Sequence, residues 1–119
     1  MNNDSIGITE NDYCDYDTCV TLSKLGFPGI QFFTWLDGKK GCTRVHLYVV
    51  QQWLINKGIY ISPRIYLYHD INLNDEVSWE CNIYIDMTSI KNVGKSLSYQ
   101  DALKLGIKEG LKYLKGENI

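Results

Sequence analysis

Two runs of alternating side chains constrain this chain more than any other feature. Between Ile59 and His69, the residues Ile59, Ile61, Ile65 and Leu67 fall on one face, and Tyr60, Ser62, Arg64, Tyr66 and Tyr68 on the other. Between Ser78 and Met87, the residues Trp79, Cys81, Ile83, Ile85 and Met87 stand against Ser78, Glu80, Asn82, Tyr84 and Asp86. A period of two is the strand period, and one apolar face backed by one polar face is the mark of an antiparallel sheet covered on one side. The two runs are expected to pair as a hairpin through the polar, acidic loop Asp70–Val77. Pro63 has no amide hydrogen, so its strand is expected at a sheet edge or a bulge.

The remaining elements read as helices and short strands. A helix is expected over Tyr16–Leu25, capped by Asp17 or Thr18, with Cys19, Leu22 and Leu25 at helical spacing. Gly26, Phe27 and Pro28 then stop it. Ile30–Leu36 has the aromatic and β-branched content of a strand, followed by a turn over Asp37–Gly41. Cys42–His46 either returns as a short strand or leads directly into a helix capped by Thr43. That helix spans about Val45–Lys57, with Val49, Val50, Trp53 and Leu54 on one face and Gly58 at its end. The last helix starts at Ser98, where Ser98 and Asp101 resemble a capping box and Leu97 can staple against Ala102. Its inner stripe is Tyr99, Ala102, Leu103, Ile107, Leu111 and Leu114, with Gly106 and Gly110 allowing close approach to the sheet. Lys104, Lys108, Lys112 and Lys115 take the opposite face, and Gly116 ends the helix.

The order is thus helix, strand or hairpin, helix, hairpin, helix. It implies an α+β fold: a two-layer sandwich with a small antiparallel sheet of three to four strands and three helices on one face. At 119 residues, with 45% hydrophobic and 22% charged, the chain suits one core that needs neither metal nor disulfide. Residues 1–14 read as a polar arm, ordered where it docks on the body, and residues 15–119 as a single domain.

Several function classes are disfavoured. The four cysteines form no CxxC pair and have no companion His at zinc-finger spacing, so no metal site is expected. Met1–Asp12 has neither a basic region nor an apolar run, so no signal peptide is expected, and a cytosolic chain with reduced thiols follows. No membrane partner is expected, since no segment approaches the roughly 18 apolar residues of a span. A net charge of −2 with only Arg44 and Arg64 as arginines lacks the cationic footprint for duplex nucleic acid. Cofactor-binding and nucleophile motifs are absent, so no cofactor and no catalysis are expected. The pairs Cys42 with His46 and His69 with Asp70 are the candidates for a nucleophile or base. His46 falls at a helix start, however, and adjacent strand residues such as His69 and Asp70 point to opposite faces.

Three stretches resemble a family of short uncharacterised proteins carried by phages and mobile elements of gut bacteria. Thr18–Phe27 (TCVTLSKLGF) is similar to its opening T-Y-x-x-A-x-x-L-K-x-L-G-F pattern, Val49–Leu54 (VVQQWL) to its Q-A-F-R-W-F helix, and Ser98–Lys115 (SYQDALKLGIKEGLKYLK) to its closing S-Y-x-E-A helix. Before the tryptophan, where the family pattern has Gln-Ala-Phe-Arg, this chain has Val49, Val50, Gln51 and Gln52. The resemblance implies a phage-type accessory protein and brings no active site with it.

Candidate binding residues come from the polar face of the hairpin. Tyr60, Arg64, Tyr66 and Tyr68 share one strand, with Asn82 and Tyr84 on its neighbour. Tyrosine is first of all a good strand former. If helices cover the opposite face, though, these rings stay open, and exposed aromatics beside an arginine suit a partner. Lys39, Lys40 and Arg44 make a small basic cluster near a Gly-flanked turn. The lysine stripe of the last helix reads as an ordinary solvated face. The function expected is therefore non-catalytic: an accessory protein, assembled as a small homo-oligomer, that holds a small nucleotide such as a signal of bacterial immunity. Tyr60, Arg64, Tyr66, Tyr68, Tyr84, Lys39, Lys40 and Arg44 would contact it. The alternative is a module whose tyrosines contact a host protein or a second copy, with no small ligand.

Overall fold

The structure, a computed structural model, describes residues 10–69, 75–96 and 98–116. Among the described residues, three α-helices and five strands form an α+β fold with two antiparallel sheets. Helices α1 (Tyr16–Lys24), α2 (Leu47–Ile55) and α3 (Tyr99–Leu114) join a two-stranded sheet of β1 (Phe32–Thr34) and β2 (Lys40–Cys42) and a three-stranded sheet of β3 (Ile59–His69), β4 (Asp75–Ile85) and β5 (Thr88–Ser96). The three-stranded sheet runs in the order β3-β4-β5, so β3 and β5 are its edges.

The expected hairpin is present, with Tyr60 opposite Tyr84, Arg64 opposite Glu80 and Ile65 opposite Trp79. Several of the sequence expectations change. First, β4 begins at Asp75 and ends at Ile85, within the loop expected at one end and short of Met87 at the other. Asp86 and Met87 form a two-residue turn with φ of 49° and 71° that sends the chain back as β5. Positive φ at both central positions is the geometry that matches strand twist in a tight hairpin, although Asn-Gly is its usual sequence. The sequence therefore carried no turn signal here, and β5, with Lys, Asn and Gly and two register irregularities, carried little strand signal. Second, the β1–β2 hairpin is a separate sheet, packed on α1, and the loop between its strands is reached by Trp35 N donating to Lys39 O at 2.7 Å. Third, α2 starts at Leu47, two residues later than expected. Its cap is His46, whose Nδ1 accepts from Tyr48 N at 3.1 Å, in place of Thr43.

Caps and stops otherwise follow local chemistry. The α1 cap is Asp15, accepting from Thr18 N at 2.8 Å, rather than Asp17 or Thr18. After α1, Gly26 takes φ of 97° and Phe27 N donates to Leu22 O, which satisfies a last-turn carbonyl. Ser98 caps α3 by accepting from Asp101 N at 3.1 Å, as the sequence suggested. Leu97 lies outside the described residues.

The core sits between the sheet and the α2–α3 layer. Ile59, Ile61, Cys81, Ile83 and Ile85 supply the sheet side, and Val50, Leu54, Ala102, Leu103, Ile107 and Leu111 the helix side. Each fully buried large aliphatic side chain contributes about 1.5–3 kcal/mol. Helix α1 packs on α3 and β2, inserting Cys19 and Leu22. The closeness of α3 depends on glycine: a Cβ at Gly106 would fall on Cys81 Sγ and within 2.6 Å of Ile61 Cγ2. Gly110 is a milder case, at 3.2 Å from Ile61 Cδ1.

Residues 10–14 of the expected arm dock on this body. Cys14 N donates to Val45 O at 2.8 Å, Lys104 Nζ to Asn11 Oδ1 at 2.7 Å, and Gln100 Nε2 to Asp12 Oδ1 at 3.3 Å. Lys108 pairs with Asp15, and Lys112 with Glu109, both at 3.5 Å. The lysine stripe of α3 thus braces neighbouring segments as well as meeting solvent.

Candidate functional site

The parity of β3 decides which side chains share a face. Odd positions at its start, Ile59 and Ile61, face α2 and α3, so the even positions Tyr60, Ser62, Arg64 and Tyr66 face away from the helices. Across the ladder Tyr84 and Asn82 join them, and Asn92 on β5 donates through Nδ2 to Asn82 Oδ1 at 2.6 Å. Tyr60 and Arg64 are exposed, while Tyr66 and Tyr84 are half-buried. Tyr68 stands on the β3 backbone opposite Glu76, and its side chain lies outside the described ones.

The tyrosine face has a defined hollow. Tyr60, Ser62 and Tyr84, with Ile55 from α2, Met87 from the β4–β5 turn and Ile61, line a concavity of about 500 Å³. That size lies within the roughly 300–1,000 Å³ of small-ligand sites. Gly58 connects the two contributing turns: its φ is 82°, and a Cβ there would come within 2.8 Å of Asp86 Oδ1. Alternation had already placed Ser62 on this face, although it was not counted among the contacts; Ile55 and Met87 were missed because they come from a helix and a turn that only packing brings to the strand. Arg64 lies two positions beyond Ser62 on the same face, its guanidinium 5.8 Å from the Tyr66 ring centre. Ser78, directly opposite Tyr66, is buried, and its hydroxyl has no hydrogen-bond partner among the described residues.

The expected basic cluster does not join this face. Lys39 and Lys40 belong to the β1–β2 hairpin, which packs on α1, whereas the tyrosine face belongs to the other sheet. Arg44 is paired with Glu10 and lies 5.1 Å over the Tyr13 ring. The aromatic content that marked Ile30–Leu36 as a strand lies at the surface: Phe32, Phe33 and Trp35 are exposed, as is Leu36, and Phe33 meets Trp35 edge-on.

Of the candidate catalytic residues, His46 has structural partners: it is the α2 cap and packs edge-on against Tyr13. Cys42 neighbours Cys14 and Cys19, and burial first of all pushes the thiols of Cys14, Cys19 and Cys81 up to about 12. Such thiols stay protonated at neutral pH and act as small apolar groups. Asp70 lies outside the described residues, as does the His69 side chain. Among the described residues no group of three His, Cys, Asp or Glu is placed to hold a metal, and no helix is long and apolar enough to cross a membrane.

No family model, curated protein or solved structure matches the chain.

Proposed function

We propose that this protein is a binding module that holds a small planar ligand, a nucleotide being the leading class, in the hollow between Tyr60 and Tyr84. The observation that carries this reading is the concavity of about 500 Å³ at the inner end of the tyrosine face, flanked by two tyrosine rings and bounded by Ile55 of α2. A base can stack on such rings at about 1–3 kcal/mol each, and Ile55 and Met87 extend the apolar floor. Arg64, on the same face, offers a bidentate contact to a phosphate. Lys39, Lys40 and Arg44 have no part in it. The accessory role, withholding a signalling nucleotide from a host receptor, rests on the sequence resemblance alone.

The test is a thermal-shift screen of the purified chain against cyclic and linear nucleotides. A ligand at a hundred times its Kd stabilises by about 2.7 kcal/mol. Tyr84→Ala should remove the shift, and Arg64→Ala should weaken it for phosphorylated ligands more than for nucleosides. No shift with any nucleotide near millimolar concentration refutes the reading.

A second reading, a protein interface, is favoured by a different observation at the far end of the same sheet. There Ile65, Leu67 and Val77 are 52%, 67% and 53% exposed, although they share the face that elsewhere packs on the helices.

A further inference from the structure

We propose that the outer part of β3, Pro63 to Leu67, pairs with the same segment of a second copy. The pairing is antiparallel about a two-fold axis through Ile65, joining two three-stranded sheets into one. The inference rests on the second reading above, that the uncovered end of the sheet is a protein interface, and names its occupant.

Backbone geometry shows which groups of β3 are available. Asp86 N donates to Gly58 O at 3.1 Å across the β3–β4 pair, whereas Ile61 O accepts at 2.7 Å from Gln51 Nε2 on α2. Even positions therefore turn their backbone groups to β4 and odd positions turn theirs to the free edge, as alternation in an antiparallel ladder demands. The register from Ile59 to His69 has no irregularity, so the parity holds along the strand. Pro63 is at an odd position, where its missing amide hydrogen costs no bond to β4. The inner edge is closed by Gln51 at Ile61. Beyond Pro63, Ile65 and Leu67 present N–H and C=O groups that no described residue engages.

Edges that must stay unpaired carry charge, bulges or twist. The other edge of this sheet does: β5 has two register irregularities, Lys91 and Lys95, and φ of 41° at Lys95. The outer edge of β3 has one guard, Pro63, whose missing amide hydrogen removes one bond at each end of the pairing; beyond it Ile65 and Leu67 carry neither charge nor bulge. One open edge per chain and one guarded edge give a closed pair and not a filament.

The segment is complementary to itself about Ile65. The N–H and C=O of Ile65 exchange with those of Ile65 in the second copy, and each Leu67 N–H reaches the Pro63 carbonyl of the other. On the helix-side face, Leu67 of one copy meets Pro63 of the other beside the two Ile65 side chains. On the tyrosine face, Arg64 stands across from Tyr66 of the second copy. Arg64 already lies over its own Tyr66 ring, so the pairing puts the cation between two rings, a favourable match of charge and quadrupole. Shifting the axis off Ile65 loses this match.

Light scattering over a concentration series, with cross-linking in oxidised glutathione, tests the register. The wild type should reach the mass of two 13.7 kDa chains. Ile65→Asp should stay monomeric with an unchanged circular dichroism spectrum. Ile65→Cys should give a reducible covalent dimer, and Leu67→Cys no more of it than the wild type, because Leu67 is paired with Pro63 and not with itself. A wild type that is monomeric throughout overturns the proposal. So does a dimer that Ile65→Asp leaves intact, or one that Leu67→Cys traps as well as Ile65→Cys does. Nucleotide shifts measured on Ile65→Asp separate the two readings: a retained shift in a monomer leaves the ligand hollow standing whatever the fate of the pairing.

Discussion

Ile59 and Ile61 are 0% and 3% exposed, whereas Ile65 and Leu67, further along the same strand and on the same face, are 52% and 67% exposed. Their chemistry is the same and their parity is the same. The difference is the reach of α3: its first residue, Tyr99, packs edge-on against Trp79, and Trp79 lies opposite Ile65 in the ladder. The helix layer stops there, and the Leu67–Val77 pair beyond it is uncovered. The inner half of the hairpin is a core, while the outer half is a surface with the composition of a core. Such a surface marks an interaction site when it is contiguous.

Four substitutions probe that contrast. The largest effect is expected for Ile83→Ala in the inner half, where a fully buried side chain leaves a cavity and costs about 2–5 kcal/mol in urea unfolding. A loss below that of an ordinary surface change would mean that the inner half is not packed as described. Gly106→Ala should come next, at about 1–3 kcal/mol, since its methyl must displace Cys81 and Ile61. Gly110→Ala, with contacts above 3 Å, should cost less, and a reversed order would place α3 differently on the sheet. Ile65→Ser should be smallest, within about 0.5 kcal/mol when measured at concentrations where the chain is monomeric. If its cost rises with protein concentration, the outer half is buried against a second copy. If it matches Ile83→Ala at every concentration, the inner and outer halves do not differ.

The two aromatic regions differ in a related way. The tyrosine face is supported by a sheet packed on two helices, so its rings have fixed neighbours and enclose a hollow. The β1–β2 hairpin carries Phe32, Phe33, Trp35 and Leu36 at the surface, with Lys39 and Lys40 beside them. Aromatic content alone, 13% of the chain, did not distinguish a concave site from a projecting one.

Much of the fold was legible because it depends on neighbours in sequence. Period-two alternation placed β3 and most of β4, the Ser98 cap and glycine-bearing stripe placed α3, and Gly26 with Phe27 ended α1. Elements whose residues carry no local signal of their own were not legible. β5 is held as the third strand by its ladder to β4, and its turn adopts positive φ at Asp86 and Met87, residues that do not advertise it. His46 replaced Thr43 as the α2 cap once β2 had ended at Cys42.

For the candidate site the division is similar. By itself the sequence determined that Tyr60, Arg64, Tyr66 and Tyr84 point the same way, because side-chain direction in a strand follows from residue number. Only the tertiary structure decided that Ile55 and Met87 complete the hollow and that Lys39, Lys40 and Arg44 stand apart from it. It also decided that the apolar face of β3 is covered at Ile61 and open at Ile65. Burial depends on where a separate helix ends, and no local periodicity encodes that distance.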